Sequence, residues 1–255
     1  MQNYTSTKYL QFAQMDLVYQ RALLIIAAIS GHDAHSVLPG AGPLSRPQRH
    51  IIEHKDALML TFEPLPLKHL LEHYIYFKGA WILQELLMSR RVLFFTSSQV
   101  HFACKVLEAS EISPEGKDFR PNYPRPTNPI IQFQNAIARG DDVEWRLICK
   151  SYFELLIEYK SRELSYPGDI LNAFAGLQSI YEHRCCGIFH FGLPDFMFDR
   201  ALLWVPKHSA TCRKAFIMDE RYSTLKFPSW SWTGWVGRRW KIEKNHFQYL
   251  QCNRM

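Results

Sequence analysis

The hydrophobic pattern of the chain changes character about half-way along. Residues 5–20 carry Leu10, Ala13, Leu17 and Val18 at helical spacing, so they predict an amphipathic helix with those four positions inward. The continuous apolar run 22–29 follows almost at once. Its Leu/Ile/Ala character predicts a strand buried on both faces. Residues 79–89 predict a short helix in which Trp81 and Glu85 stand one turn apart on one face, ending near Ser89, Arg90 and Arg91. Residues 92–95 and 99–104 then read as two short strands. A helix leading into a buried strand is half of an α/β unit.

The second half reads as helical. Residues 141–164 predict a long helix with Trp145, Ile148, Tyr152, Leu155 and Leu156 as its apolar stripe and Asp141 and Asp142 at its positive end. After the Pro167-Gly168 turn, Asp169 is the expected N-cap of a helix over 170–181. A short aromatic helix is expected over 196–204, and turns with strand-like runs over 228–235. In that last stretch Trp230 and Trp232 would project to one side of a strand. Residues 51–62 and 67–77 fit neither period and read as an insertion before the central helix. Five prolines between 108 and 129 mark a linker.

Composition narrows the classes. With 47% hydrophobic and 21% charged residues, the chain of 255 residues can bury a core. A net charge of +6 is diffuse. Its one concentration, Arg238, Arg239, Lys241 and Lys244 around Trp240, reads as a solvated tail rather than a nucleic-acid contact. Six cysteines without a Cys-x-x-Cys pair suit reduced, mostly buried thiols. The N-terminus lacks the basic and apolar regions of a signal peptide. No apolar run approaches the ~20 residues of a membrane span, so a soluble cytoplasmic protein is expected.

Several patterns offer chemistry. Glu85, with Gln84 beside it and Trp81 one turn back, sets a carboxylate against an aromatic surface. The plainer alternative is an apolar face of Trp81, Leu83, Leu86 and Leu87 with Glu85 solvated. His69, Glu72 and His73 match the H-x-x-E-H zinc signature but lack an evident third ligand, and no metal site is assigned. His32, Asp33 and His35, like His50 and His54, read as loop histidines. Gly40-Ala41-Gly42 lacks the third glycine of a phosphate loop. Cys185 and Cys186 have His183 and His190 near only in sequence, which makes no dyad. Trp230, Trp232 and Trp235 suit core packing better than a platform for a sugar or base.

Four blocks together carry a resemblance. They are Gln14 to Tyr19 with the run to Ser30-Gly31, Asp33-Ala34 and Leu38-Pro39-Gly40; Trp81, Gln84 and Glu85 with Ser89 to Phe95; Tyr166 to Gly176; and Gly192-Leu193-Pro194 with Pro228 to Trp235. In this order they resemble fungal heterokaryon incompatibility (HET) domain proteins and the region that commonly follows that domain. The resemblance implies a partial TIR-like, flavodoxin-like parallel sheet with flanking helices over residues 1–105, a linker over 106–130, and a mainly helical, Trp-rich region over 131–255. It also implies an N-terminally truncated copy, since the family's opening strands have no counterpart. Its implied role is non-self recognition and programmed cell death through protein partners, with homo-oligomerisation open. Two alternatives accompany it: an NAD-cleaving hydrolase, and an inactive copy or regulator of full-length relatives. In the hydrolase, Glu85 would bind the nicotinamide ribose and Trp81 would pack beneath it, with NAD as substrate and no other cofactor. Gly79 and Leu86 stand where the family often has Arg.

Overall fold

The computed structural model describes residues 14–31, 33, 35–41, 46, 51–54, 57–60, 67, 74–104, 107–112, 133, 136, 140, 144–206, 210–213, 227–237 and 240–242, with backbone alone at 51–54, 57–60, 206 and 240–242. The chain divides into two compact units. One draws on Arg21–Phe77 and Ser89–Pro126, the other on Met1–Gln20, Lys78–Met88 and Thr127–Met255.

The first is a sheet unit. Strands β1 (Ile25–Ala28), β4 (Arg91–Phe95), β5 (Val100–Cys104) and β6 (Glu108–Ser110) form one sheet in that order. Strands β2 (Ile51–His54) and β3 (Ala57–Leu60) make a separate antiparallel hairpin out of the ambiguous stretch. The fold is α/β, but its sheet is mixed where a parallel one was expected. β1 runs parallel to β4, from Ile25 opposite Val92 to Ala28 opposite Phe95, whereas β4–β5 and β5–β6 are antiparallel. The reason lies in residues 96–99. A parallel return needs a dozen or more residues, and here the chain turns at once. The Thr96 hydroxyl donates to Gln99 O at 2.6 Å and accepts from the Gln99 amide at 2.9 Å.

Only one face of this sheet is well covered. Ala27, Phe94 and His101 are buried side by side across β1, β4 and β5, with the Phe77 ring 6.2 Å from that of Phe94. The two-faced burial expected over 22–29 does not occur. Ile26 is 58% exposed, and Leu23 and Leu24 are also exposed. Among the described residues β1 pairs on one side alone, so it alternates as an edge strand does.

The second unit is helical. It holds α1 (Met15–Arg21), α2 (Ala80–Met88), α3 (Trp145–Lys160), α4 (Asn172–Cys185) and α5 (Phe198–Ala201). Three two-stranded ribbons join them: β7 (Phe189–His190) with β8 (Leu193–Pro194), β9 (Trp204–Pro206) with β12 (Trp240–Ile242), and β10 (Thr211–Cys212) with β11 (Trp235–Val236). Its core gathers Leu83 and Leu87 of α2, Tyr152, Leu155 and Tyr159 of α3, Phe174 and Tyr181 of α4, Leu193 and Trp232. Every buried tyrosine hydroxyl in it has a partner, as burial of a polar tip demands. Tyr152 donates to Gly192 O, Tyr159 to Ile170 O and Tyr181 to the Ser151 hydroxyl.

Trp232 anchors the C-terminal part of this core. It lies 5.2 Å from the Phe174 ring and 5.8 Å from that of Tyr159, and its indole N–H donates to Gly192 O. Gly192 has φ +81°, and a Cβ there would stand 2.3 Å from the indole. The 228–234 stretch is therefore a turn, and strand β11 begins only at Trp235. Trp232 is fully buried while Trp230 is exposed, so the two do not share a side. Two cations hold the turn. Lys160 donates to Trp232 O and Trp235 O, and Arg213 to Thr233 O and Pro167 O. Burial, aided by the Arg213 charge, lowers the Lys160 ammonium to about 7.

Other sequence expectations need correction. In α1 the expected apolar positions Leu17 and Val18 face water, and Asp16 is the buried residue. Asp169 does not cap α4. It sits in a 3₁₀ turn, Pro167–Ile170, and accepts from the Asn172 side chain. The aromatic helix expected over 196–204 is shorter: a 3₁₀ turn, Asp195–Met197, followed by α5. The five described cysteines are free, but Cys149 alone is buried, and Cys186 and Cys212 are exposed. No helix among the described residues is long and apolar enough to cross a membrane.

Burial holds the His101 imidazole down at about 4, against the upward pull of Glu111. A group whose folded pKa is depressed stabilises the fold above its unfolded pKa, near 6.5, and loses that contribution as pH falls. Amide protection of β4 and β5, followed by hydrogen exchange, is therefore expected to fall between about pH 6.5 and 4. In His101→Phe that fall should flatten.

Candidate functional site

Helix α2 is fixed at its start by backbone pairing. The Ala80 amide donates to Glu163 O at 2.8 Å and the Glu163 amide to Lys78 O at 2.6 Å, just beyond the end of α3. Arg162, paired with Glu158 one turn earlier at 3.0 Å, also reaches Gly79 O. Leu83, Leu87 and Met88 enter the core, and Trp81 packs against it half-buried. These three core positions recur at i, i+4 and i+5, which leaves Gln84 and Glu85 beside the apolar stripe.

Gln84 and Glu85 meet α1 and α4. Gly176 of α4 is the point of closest approach: a Cβ there would lie 2.7 Å from Gln84 Oε1 and 3.1 Å from Asp16 Cβ. Three residues further along α4, the Ser179 hydroxyl donates to Asp16 Oδ2 at 2.9 Å and also to Gly176 O at 2.8 Å. Tyr19, one turn beyond Asp16, donates its phenol hydrogen to the Glu85 carboxylate. Burial raises the Tyr19 pKa above the ordinary phenol value, and the Glu85 charge and hydrogen bond raise it further. The phenol therefore stays protonated at any physiological pH. From the end of α1, Gln20 donates to Met88 Sδ at 3.4 Å.

Gln84 itself is 1% exposed, and neither its amide nitrogen nor its oxygen has a hydrogen-bond partner among the described residues. Such a group costs about 1–3 kcal/mol to bury. The arrangement thus offers an inward amide with free donor and acceptor, a half-buried carboxylate fixed by a phenol, and a serine–aspartate pair that bridges α4 and α1.

The structure brings Trp81, Gln84 and Glu85 together on one helix within the helical unit. His69, Glu72 and His73 lie outside the described residues, as do His32 and His50. Asp33 accepts from the His35 amide and the Ser36 hydroxyl, so that stretch is a polar turn. His183 pairs with Ser179 O. No group of three His, Cys, Asp or Glu suited to a metal occurs among the described residues. Sequence reading missed Asp16, Tyr19, Gly176 and Ser179. The available signal was spacing, since Asp16 and Tyr19 share a helix face and Gly176 interrupts a helix.

Helix propensity alone gives Gly176→Ala a gain of up to about 1 kcal/mol. The contact geometry reverses the sign. An added methyl meets Asp16 and Gln84 at once, and overpacking costs about 1–3 kcal/mol. Urea unfolding followed by tryptophan fluorescence is expected to show net destabilisation. All seven tryptophans belong to the helical unit, which makes the probe specific to it.

A family model described as heterokaryon incompatibility protein (HET) matches residues 1–85. No curated protein and no solved structure matches the chain. The match ends on Glu85, so it takes in α1, β1 and the Trp81-Gln84-Glu85 block. The first third of the chain is thus similar to heterokaryon incompatibility (HET) family sequence, which supports a role of that type.

Proposed function

We infer that this chain is an interaction and signalling module in fungal non-self recognition, acting through protein partners in the cytoplasm, with programmed cell death as its output. The observation that best supports the reading is the use made of Glu85. Its carboxylate is half-buried and bonded to the Tyr19 phenol, and so joins α2 to α1. Gln84 lies wholly inside the same packing. Residues used in this way hold a surface in shape. On this reading Trp81, Gln84 and Glu85 are positioning residues whose changes act through the fold.

The experiment compares the chain with Glu85→Gln, which keeps the shape and a partner for Tyr19 but removes the charge. Overexpression in a fungal host should arrest growth in both cases, with cellular NAD unchanged. If NAD falls, and both the fall and the arrest disappear in Glu85→Gln, the chain is an NAD hydrolase and the signalling reading fails.

A further inference from the structure

Strand β1 leaves an apolar edge open in the sheet unit. Among the described residues it pairs with β4 alone. Apart from the Gly31 amide on Ala28 O, its backbone has no further partner on the other side. The side chains at this edge stand in water. Leu23 is 78% exposed, Ile26 58% and Leu24 39%. Natural edge strands are blunted by lysine or proline. The β1 sequence, IIAA, carries neither.

Arginines gather at the start of the same edge. The β1–β4 register places Ile25 opposite Val92. Carried one residue back it sets Leu24 beside Arg91, and two residues back it sets Leu23 beside Arg90. The Arg91 guanidinium donates to Leu23 O at 3.5 Å, which ties the two segments together there. Arg21 lies two residues before Leu23 in the chain. Arg21, Arg90 and Arg91 are all exposed, and none of the three forms a salt bridge. Alternation puts Leu24, Ile26, Arg91 and the half-buried Leu93 on the open face of the sheet, away from the covered Ala27 and Phe94.

The edge therefore presents three things at once: a row of strand backbone without a neighbour, apolar side chains beside it, and unpaired guanidiniums at one end. An extended peptide with carboxylates at one end and apolar residues at every second position complements all three, by the strand addition that serves many recognition domains. An anionic lipid surface would match the arginines and the leucines but leave the backbone groups unpaired in an apolar medium, which is costly.

We propose that the β1 edge is a docking site for an acidic, extended segment of a partner protein, which adds a strand to the four-stranded sheet and sets its carboxylates against Arg21, Arg90 and Arg91. The inference names a partner chemistry for the interaction reading above and rests on that reading for its role. Its surface belongs to the sheet unit and does not use Gln84 or Glu85.

Fluorescence anisotropy of the full chain with a labelled synthetic peptide, two glutamates followed by alternating valine and threonine, tests this. The expected result is binding at low ionic strength that weakens as salt rises, because exposed charges are screened. Arg90→Glu/Arg91→Glu and, separately, Ile26→Lys should each weaken it by at least about tenfold. Two control peptides keep the test independent of how the variants fold. One has lysine for both glutamates and the other has proline for each threonine, which removes backbone donors; neither should bind. Failure of the glutamate peptide to bind overturns the proposal, as does equal binding of either control. So does a chain that associates with phosphatidylserine vesicles and ignores the peptide, since the surface then faces a membrane. A dimer in sedimentation velocity that the peptide does not dissociate, in a chain that the peptide does not bind, overturns it in favour of a second copy. None of these results bears on the Glu85→Gln comparison, which reads growth arrest and NAD.

Discussion

The contact between Gly176 and the side of α2 carries more of this structure than its size suggests. Three helices converge there, and a hydrogen at Cα is what allows the Gln84 amide and the Asp16 backbone to come within van der Waals range of α4. The consequence is topological. Helix α1 and the Ala80–Glu85 part of α2 lie within the HET-matched residues 1–85, whereas α4 comes from residues 172–185, far outside the match. The family segment does not complete its own helical core. It shares Ala80 and Leu83 with Tyr152, Phe174 and Trp232 of the later chain. The Tyr19–Glu85 and Asp16–Ser179 hydrogen bonds are then the polar fastenings of a joint whose apolar part lies alongside.

A second set of constraints explains why the late sequence blocks belong together. Gly192 accepts from both Tyr152 and Trp232, and its missing side chain leaves the space the indole fills. Phe174, from the Tyr166–Gly176 block, closes the other side. Lys160 is a buried cation and Arg213 a half-buried one, and both donate to backbone carbonyls of the tryptophan turn. Burying cations in this way is costly, and it fixes the turn in one register. Segments more than 70 residues apart are thereby locked around one indole.

Much of this was legible from spacing. The helix at 79–89, the strands at 92–95 and 99–104, and the apolar stripe from Ile148 to Leu156 all follow from periodicity, and the structure has each within a few residues. What spacing could not supply was partnership. The run at 22–29 looks like a strand buried on both faces, but a strand paired on one side leaves Ile26 in water. Leu17 and Val18 look like a core face, but Asp16 has Ser179 to bind, and that serine lies 163 residues away. Trp230 and Trp232 look equivalent at i and i+2, and a turn sends one inward and the other out. The parallel expectation held for β1 and β4 and failed beyond β4, where four residues leave no length for a crossover. Of the candidate site, Trp81, Gln84 and Glu85 were visible as a helical block. Their partners on α1 and α4 depended on long-range packing.

The central claim is that residues of the HET-matched segment and of α4 are energetically one site, joined at Gly176 and Gln84. A double-mutant cycle with Gly176→Ala, Gln84→Ala and the double variant measures this directly by urea unfolding. If the two residues meet as described, the truncated Gln84 side chain makes room for the new methyl. The cost of Gly176→Ala should then shrink, giving a coupling of about 1 kcal/mol or more. Costs that simply add, within about 0.5 kcal/mol, would contradict the account.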